Sequence, residues 1–365
     1  NPGRIFMAGI TFKSDKRVAF FAEANKRVNQ YFRENNLKKT GGSKIAFKTF
    51  IVFALYLVPY FAVLLLPMPL WAMAICAVMM GIGVSAIGFN VMHDANHGAY
   101  SKKSGWNRWL GYTLNFIGGN AFLWKIQHNY LHHTYTNIHD HDEDLDAGML
   151  IRLSEKAPKR KIHKYQHIYG PLLYGLLTIS WILMGDLKRL IRYNKKGFIK
   201  KYGSTFTKEL VVLAVSKLFY LSYTLLIPYL VLNISFGYII IGFLILHFTA
   251  GFILSIVFQL AHVVEEASQP AVSADGTIGS DWAVHQLMTT ANFAPTNKLL
   301  TWYVGGLNFQ VEHHLFSSIS HIHYPALSKI IKETASECGV PYYQHPSFRT
   351  AVTSHFKMLK KLGTE

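Results

Sequence analysis

Residues 70–92 read LWAMAICAVMMGIGVSAIGFNVM, carry no charged side chain, and run straight into His93-Asp94-Ala95-Asn96-His97. At about 1.5 Å of rise per residue, such a stretch is long enough to cross a hydrocarbon core of about 30 Å. Three more stretches share the property. Residues 45–66 hold one charge, Lys48 near the start, residues 210–232 hold only Lys217, and residues 238–261 hold none. Four such segments cannot all hide in the core of a soluble protein of 365 residues. The chain is expected to be an all-α integral membrane protein with four transmembrane helices.

Composition agrees. Half of the residues are apolar and only 16% are charged, against roughly 25% in soluble domains. That excludes a disordered or coiled-coil chain. Two cysteines, Cys76 and Cys338, exclude a disulfide scaffold and any metal site built from more than two thiolates. The formal net charge of +17 suits nucleic acid, anionic lipid or an acidic substrate. The four apolar spans turn that reading away from nucleic acid.

The spans pair into two hairpins, joined by Pro67-Met68-Pro69 and by Asn233-Ile234-Ser235-Phe236-Gly237, and neither connection contains Lys or Arg. Residues 1–48 carry eleven, and residues 156–201 are densely basic. The positive-inside rule then places both termini and the middle region in the cytoplasm. Asn233-Ile234-Ser235 fits a glycosylation pattern but sits too close to a helix end to be read as a site. The apolar stretches 109–124 and 168–187 are interrupted by Gly118-Gly119 and by Gly170-Pro171. If one of them alone crossed the bilayer, the histidine clusters would fall on opposite sides. Both are therefore expected as interfacial or re-entrant helices. The organisation that follows is a cytoplasmic N-terminal segment over 1–44, a membrane domain over 45–325, and a cytoplasmic C-terminal segment over 326–365. Residues 1–44 are polar and basic and show no signal-peptide pattern.

Eighteen histidines require an explanation. His93 and His97 lie in HDANH; His128, His132 and His133 in HNYLHH; His313 and His314 close QVEHH. On an α-helix residues i and i+4 share a face, so His93/His97 and His128/His132 are each expected to present two imidazoles to one point. Neutral imidazole suits iron, zinc, copper and nickel. A single His-x-x-x-His at a helix end is usually a solvated face, but three clusters near the same ends of the spans are not. Seven such ligands exceed the needs of one ion and suffice for two. The sequence points to a dinuclear metal site.

The spacings HxxxH, HxxxHH and QxxHH resemble the three histidine boxes of the membrane fatty acid desaturase and hydroxylase superfamily, over residues from about 45 to 325. Gln310, where many members have His, is similar to the front-end acyl desaturases of the delta-5 and delta-6 type. The resemblance implies two non-haem ferrous ions in a cytoplasmic cap, with His93, His97, His128, His132, His133, His313 and His314 as ligands. It implies an eighth at the end of the fourth span, His262 in QLAHVVEE. Asp94 inside the first box, Glu312, Gln310 and Asp144 in the acidic run HDHDEDLD (residues 139–146) are expected to support the ligands, since ligating imidazoles usually donate their other N–H to a carboxylate. The acidic run reads equally as a solvated loop. His163, His167, His285, His321 and His323 are expected at surfaces or interfaces, and Trp106, Trp109, Trp124 and Trp181 as interfacial anchors.

Taking hydrogen from an unactivated methylene needs an oxidant that no side chain supplies. The expected reaction is O₂-dependent desaturation of a fatty acyl chain to a cis double bond, the acyl group being carried by coenzyme A, acyl carrier protein or phospholipid. The basic segments 156–164 and 188–201 suit the phosphates of such a head group, and equally follow from topology alone. The His-Pro-Gly-Gly motif of the cytochrome b5 domain fused to many front-end desaturases is absent from the quoted chain. Electrons are therefore expected from a separate ferredoxin or cytochrome b5, in a bacterial inner membrane. A hydroxylase, ketolase or acetylenase on the same scaffold remains the alternative. A metal transporter is remote, because its ligands should lie within the spans, where only His247 stands.

Overall fold

The computed structural model describes residues 10–13 and 20–365; residues 1–9 and 14–19 of the expected N-terminal segment lie outside the described residues. In chain order, α1 (Phe20–Glu34) precedes the first hairpin, α2 (Gly42–Leu65) and α3 (Leu70–Asn96). A bent pair follows, α4 (Lys161–Tyr174) and α5 (Leu177–Lys195), then the second hairpin, α6 (Phe206–Val231) and α7 (Phe236–His262). Two helices close the chain, α8 (Tyr324–Glu337) and α9 (Phe348–Thr364).

Among the described residues, helices α2, α3, α6 and α7 are the four that are each long and apolar enough to span a membrane, and α4 with α5 are so only as a pair bent by 69°. A bilayer offers the backbone no partner, so each span must satisfy its own hydrogen bonds. Their outward faces stay apolar and exposed, with Phe47, Phe50 and Leu65 on α2 and Val215, Leu218 and Leu230 on α6. Inside the bundle, small residues set the helix spacing. A side chain at Gly81 of α3 would come within 2.6 Å of the Leu246 carbonyl oxygen of α7, and one at Gly251 of α7 within 2.6 Å of that of Gly175. The second contact seats α7 in the bend between α4 and α5, which turns by 69°. Residues 109–124 likewise break into short helices around Gly118, whose φ is +95°. Neither stretch makes a straight span.

Lys217, the charge inside α6, is fully occupied. Its Nζ donates to Asp186 Oδ2 at 2.6 Å, to the Gly118 carbonyl at 2.6 Å and to the Trp181 carbonyl at 3.0 Å. One ammonium thus ties α6 to α5 and to the Gly118 turn, using all three donors. His247 is tied in the same way, to Tyr220 Oη at 2.7 Å and Thr178 Oγ1 at 3.0 Å.

The cap is built from α1, the chain after His262 and the segment 121–165. Phe20, Ala24, Val28 and Phe32 recur every four residues on α1 and are buried against Phe309, Leu327 and Ile331. Two short parallel ladders cross-link it, Thr11–Phe12 with Thr277–Ile278 and Ala291–Phe293 with Tyr343–His345. Residues 326–365 do not form a detached tail. Helix α9 lies on α4 and α7: His355 donates from Nδ1 to the Val263 carbonyl at 2.7 Å and accepts at Nε2 from Tyr174 at 2.8 Å. This fastens the chain next to His262.

Candidate metal centre

Helix α3 carries one π turn, Gly88–Met92, just before His93, and the second histidine cluster lies on a π-helix, Lys125–His132. Single π turns inside α-helices are rare and favour functional sites. Here the turn redistributes the ligands. The α-helical expectation aims His128 and His132 at one point. In the structure their rings stack 5.3 Å apart and their ligand nitrogens, with an Asp144 oxygen, lie within 4.8 Å of one another, as expected, while the i+5 ladder also brings His133 Nε2 to 3.2 Å from His128 Nε2. The histidines then sort into two groups. The ligand nitrogens of His93, His97, His128 and His313 lie within 4.8 Å of one another, and so do those of His132, His262 and His314. His133 stands between them, its Nε2 2.9 Å from His313 Nε2 and its ring 4.4 Å from that of His314. Neighbours in sequence, His313 and His314, thus serve different groups, and His133 parts from His132 to stand between them.

The donor set fits metal ions. Nε2 of His93, His97, His132, His262 and His314 is buried without a hydrogen-bond partner among the described residues, and such orphans are rare and costly. The opposite nitrogen explains their direction. Nδ1 of His132 donates to Asp142 at 3.0 Å, that of His262 to the Thr289 carbonyl at 3.3 Å, and that of His314 to Gln286 Oε1 at 2.7 Å. These acceptors hold the proton on Nδ1 and leave the Nε2 lone pair free, which is the tautomer a metal takes. Burial, together with the neighbouring imidazoles, holds His97, His128, His133, His313 and His314 well below the ordinary histidine range, so they enter neutral. For His132 burial pulls the same way, but the Asp142 and Asp144 carboxylates prevail and raise it.

The expected supporting residues are placed unequally. Asp94 is buried; its Oδ2 accepts from Ser320 Oγ at 2.8 Å, and it stands 2.9 Å from His321 Nδ1, off the hydrogen-bonding direction. Its other oxygen is 4.0 Å from His93 Nδ1. Asp144 accepts from Gln127 at 2.5 Å and lies 3.4 Å from His132; burial pushes it up to about 6. The nearer partner of His132 is Asp142, oriented by the backbone N–H groups of Asn137 and Asp144. Glu312 turns away from the histidines, accepting from Asn292 at 2.7 Å and Tyr342 at 2.8 Å, and burial raises it to about 7. Gln310 lines the cavity beside His93 and His313.

That cavity, about 150 Å³, is bounded by Phe89, Met92, Leu254 and Phe258 and touches His93, His128 and His313. Trp124 and Trp181 line it too, and Trp124 stacks on His128 with centroids 4.4 Å apart. Of the four tryptophans expected as interfacial anchors, only Trp106 and Trp109 are exposed; a ring of that area buries beside an apolar cavity as readily as at an interface. His163, His285 and His321, expected at surfaces, are buried. His163 and His285 bond the carbonyls of Met149 and Thr136, while His321 Nε2 accepts from Lys48 at 3.0 Å. Asp142, Gln286 and the Thr289 carbonyl escaped the sequence reading. Asp142 stood in the acidic run, but no spacing rule separates it from Asp144.

A sequence profile described as fatty acid desaturase matches residues 68–346. The chain is 36% identical over 95% of its length, and 94% of the relative's, to a sn-1 linoleoyl-lipid 6-desaturase of Arthrospira platensis. It is similar at 36% identity to a protein of the same description from Synechocystis sp., covering 96% of this chain and 97% of that one. It is 31% identical to an acyl-lipid (8-3)-desaturase of Physcomitrium patens, over 98% of this chain and 74% of the relative.

Proposed function

The chain belongs to the fatty acid desaturase family and is a membrane-bound fatty acyl desaturase, an oxidoreductase; from that premise we propose that its eight clustered histidines hold two iron ions. His93, His97, His128 and His313 hold one, His132, His262 and His314 the other, and His133 lies between. The observation that carries this reading is the convergence of buried histidine ring nitrogens, five of their Nε2 atoms without a hydrogen-bond partner among the described residues, with Nδ1 held by protein acceptors in the second group. Asp142, Asp144 and Asp94 position ligands. The metal-binding domain spans 45–325, with 1–44 and 326–365 on the same, cytoplasmic, side of a bacterial inner membrane.

Bound iron supplies, with O₂ and two electrons, an oxidant able to take hydrogen from an unactivated methylene. The balance is one –CH₂–CH₂– unit, O₂, two electrons and two protons giving –CH=CH– and two waters. This chain's residues do the rest. Phe89, Met92, Leu254 and Phe258 hold an acyl tail beside His93, His128 and His313 and exclude water, so that one C–H pair stays within reach. Trp124 fixes the plane of His128 by stacking. Gln310 and Gln127 give the cavity its polar side, suited to the carboxyl end of an acyl chain. The substrate is an acyl chain esterified in a lipid, and the new double bond lies near its carboxyl end, in keeping with the activities named for the two cyanobacterial relatives. Electrons come from a separate carrier, a ferredoxin or cytochrome b5.

The test is fatty acid analysis by gas chromatography and mass spectrometry of a host expressing the chain beside His97→Ala, with iron counted on the purified protein. A new species two hydrogens lighter, present only with the wild type and with about two irons per chain, is the expected result. A hydroxylated or keto product, or an active protein without iron, overturns the reading.

A further inference from the structure

The histidine centre has a second opening, separate from the apolar cavity. A polar well of about 420 Å³ runs from the cap surface to the rings of His133 and His314. Asn25, Lys39, Trp282 and Phe316 line it, and no carboxylate does among the described residues. Through Lys39 its rim continues into a cleft of about 880 Å³ that carries Lys26, Arg33, Lys38 and Lys102. Among the described residues Arg33, Lys38, Lys39 and Lys102 have no carboxylate partner; the nearby acids are engaged elsewhere, Glu23 with Lys26 and Arg27 and Glu337 with Arg27.

An aromatic bridge joins this rim to the centre. Phe21, 36% exposed, lies 5.7 Å from Trp282 edge-on and 5.7 Å from Phe316 in a stack. Trp282 Nε1 donates to the backbone carbonyl of His133 at 3.2 Å. From surface to ligand the path is therefore two packed rings, one hydrogen bond and the His133 residue itself. Electron tunnelling falls steeply with distance through space and more gently along such bonded, packed routes.

We propose that the well is the docking site of the electron donor, an acidic one-electron carrier protein, and that Trp282 conducts its electrons to the centre. This rests on the desaturase reading above, whose balance draws two electrons from outside; two reduced carriers each give up one in turn. A rim of unpaired cations steers an acidic partner and fixes its register. An anionic lipid headgroup would use the lysines alone, whereas a floor of two ligand histidines and an aromatic bridge serve only a redox partner.

The experiment uses the full chain in phosphatidylcholine nanodiscs, with product counted under two reductants: reduced plant-type ferredoxin as the acidic carrier, and dithionite with a viologen mediator. The Lys39→Glu/Lys102→Glu variant is expected to raise KM for ferredoxin about tenfold and flatten its salt dependence, with mediator-driven turnover unchanged. Trp282→Leu is expected to lower ferredoxin-driven kcat while leaving KM, iron content and the mediator-driven rate in place. If it loses iron, Trp282→Phe, which keeps a ring and loses only the N–H, carries the test. The proposal falls if charge reversal leaves the ferredoxin KM unmoved. It falls equally if Trp282 variants slow both reductants alike, or if charge reversal acts only in discs made with phosphatidylglycerol, which would assign the rim to lipid. A wild type that desaturates with neither reductant overturns the desaturase reading instead.

Discussion

The two histidine groups are built to different standards of support. In the group of His132, His262 and His314 every Nδ1 is held, by Asp142, the Thr289 carbonyl and Gln286 respectively. In the group of His93, His97, His128 and His313 the only Nδ1 partner is Tyr324, 3.3 Å from His313, and both ring nitrogens of His93 are unpartnered among the described residues. His93, His128 and His313 of this less supported group line the apolar cavity, while none of His132, His262 and His314 touches it. The contrast teaches that the fold supplies hydrogen-bond acceptors to one group and leaves the other, beside the cavity, with one. Outer partners of a metal ligand typically govern 10–100-fold in affinity or activity, so the contrast has measurable consequences.

The largest effect belongs to the ligands. His97→Ala and His314→Ala are each expected to reduce desaturation to background, and iron counting should find about one ion left in each. If either variant loses both ions, the two groups are one cooperative unit and the comparison breaks. Next comes Asp142→Asn, which keeps the shape but weakens the acceptor on His132; activity or iron affinity should drop about 10–100-fold, read by turnover at limiting iron. The equivalent change at Asp94, which stands 4.0 Å from its histidine, should cost less. A chelator sharpens the difference further. Iron should leave in two phases separated by about tenfold in rate, with activity lost in the fast one, because the less supported group borders the cavity. The smallest effect is expected of Glu312→Gln. Its carboxyl faces Asn292 and Tyr342, so iron stoichiometry should not change and stability should shift by about 1 kcal/mol, seen in thermal unfolding of the purified protein.

Much of this was legible beforehand, for reasons that differ by residue. The four spans are plain because a bilayer forces long uncharged helices. Lys217 is the informative exception: its partner Asp186 and the carbonyls it bonds lie on segments whose folding back no local pattern reveals. Seven of the histidines stand out because imidazoles in repeated close pairs have few other uses, whereas His262, alone in its segment, was named only through the family resemblance. The helical period correctly brings His128 and His132 within reach of one point, but which further histidines each one joins was not legible, since those come from distant segments. Trp124 and Trp181 were read as anchors because composition cannot tell an interface from a cavity wall. His163, His285 and His321 were read as interface or surface residues because their partners, two backbone carbonyls and Lys48, are not marked by any local pattern.

By itself the sequence determined a four-span helical membrane protein, the residues able to ligate metal and the class of chemistry they serve. The first two depend on residue type and short spacing, and the class of chemistry on the family resemblance that the histidine motifs carry. Tertiary structure alone decided which histidine joins which group, that Asp142 stands nearer to His132 than Asp144 does, and that the centre opens both to an apolar cavity and to a basic-rimmed well. The physical reason is rotation. One extra residue in a turn swings every later side chain by about 100° about the helix axis, and whether the backbone accepts that π turn depends on what the rest of the fold packs against it.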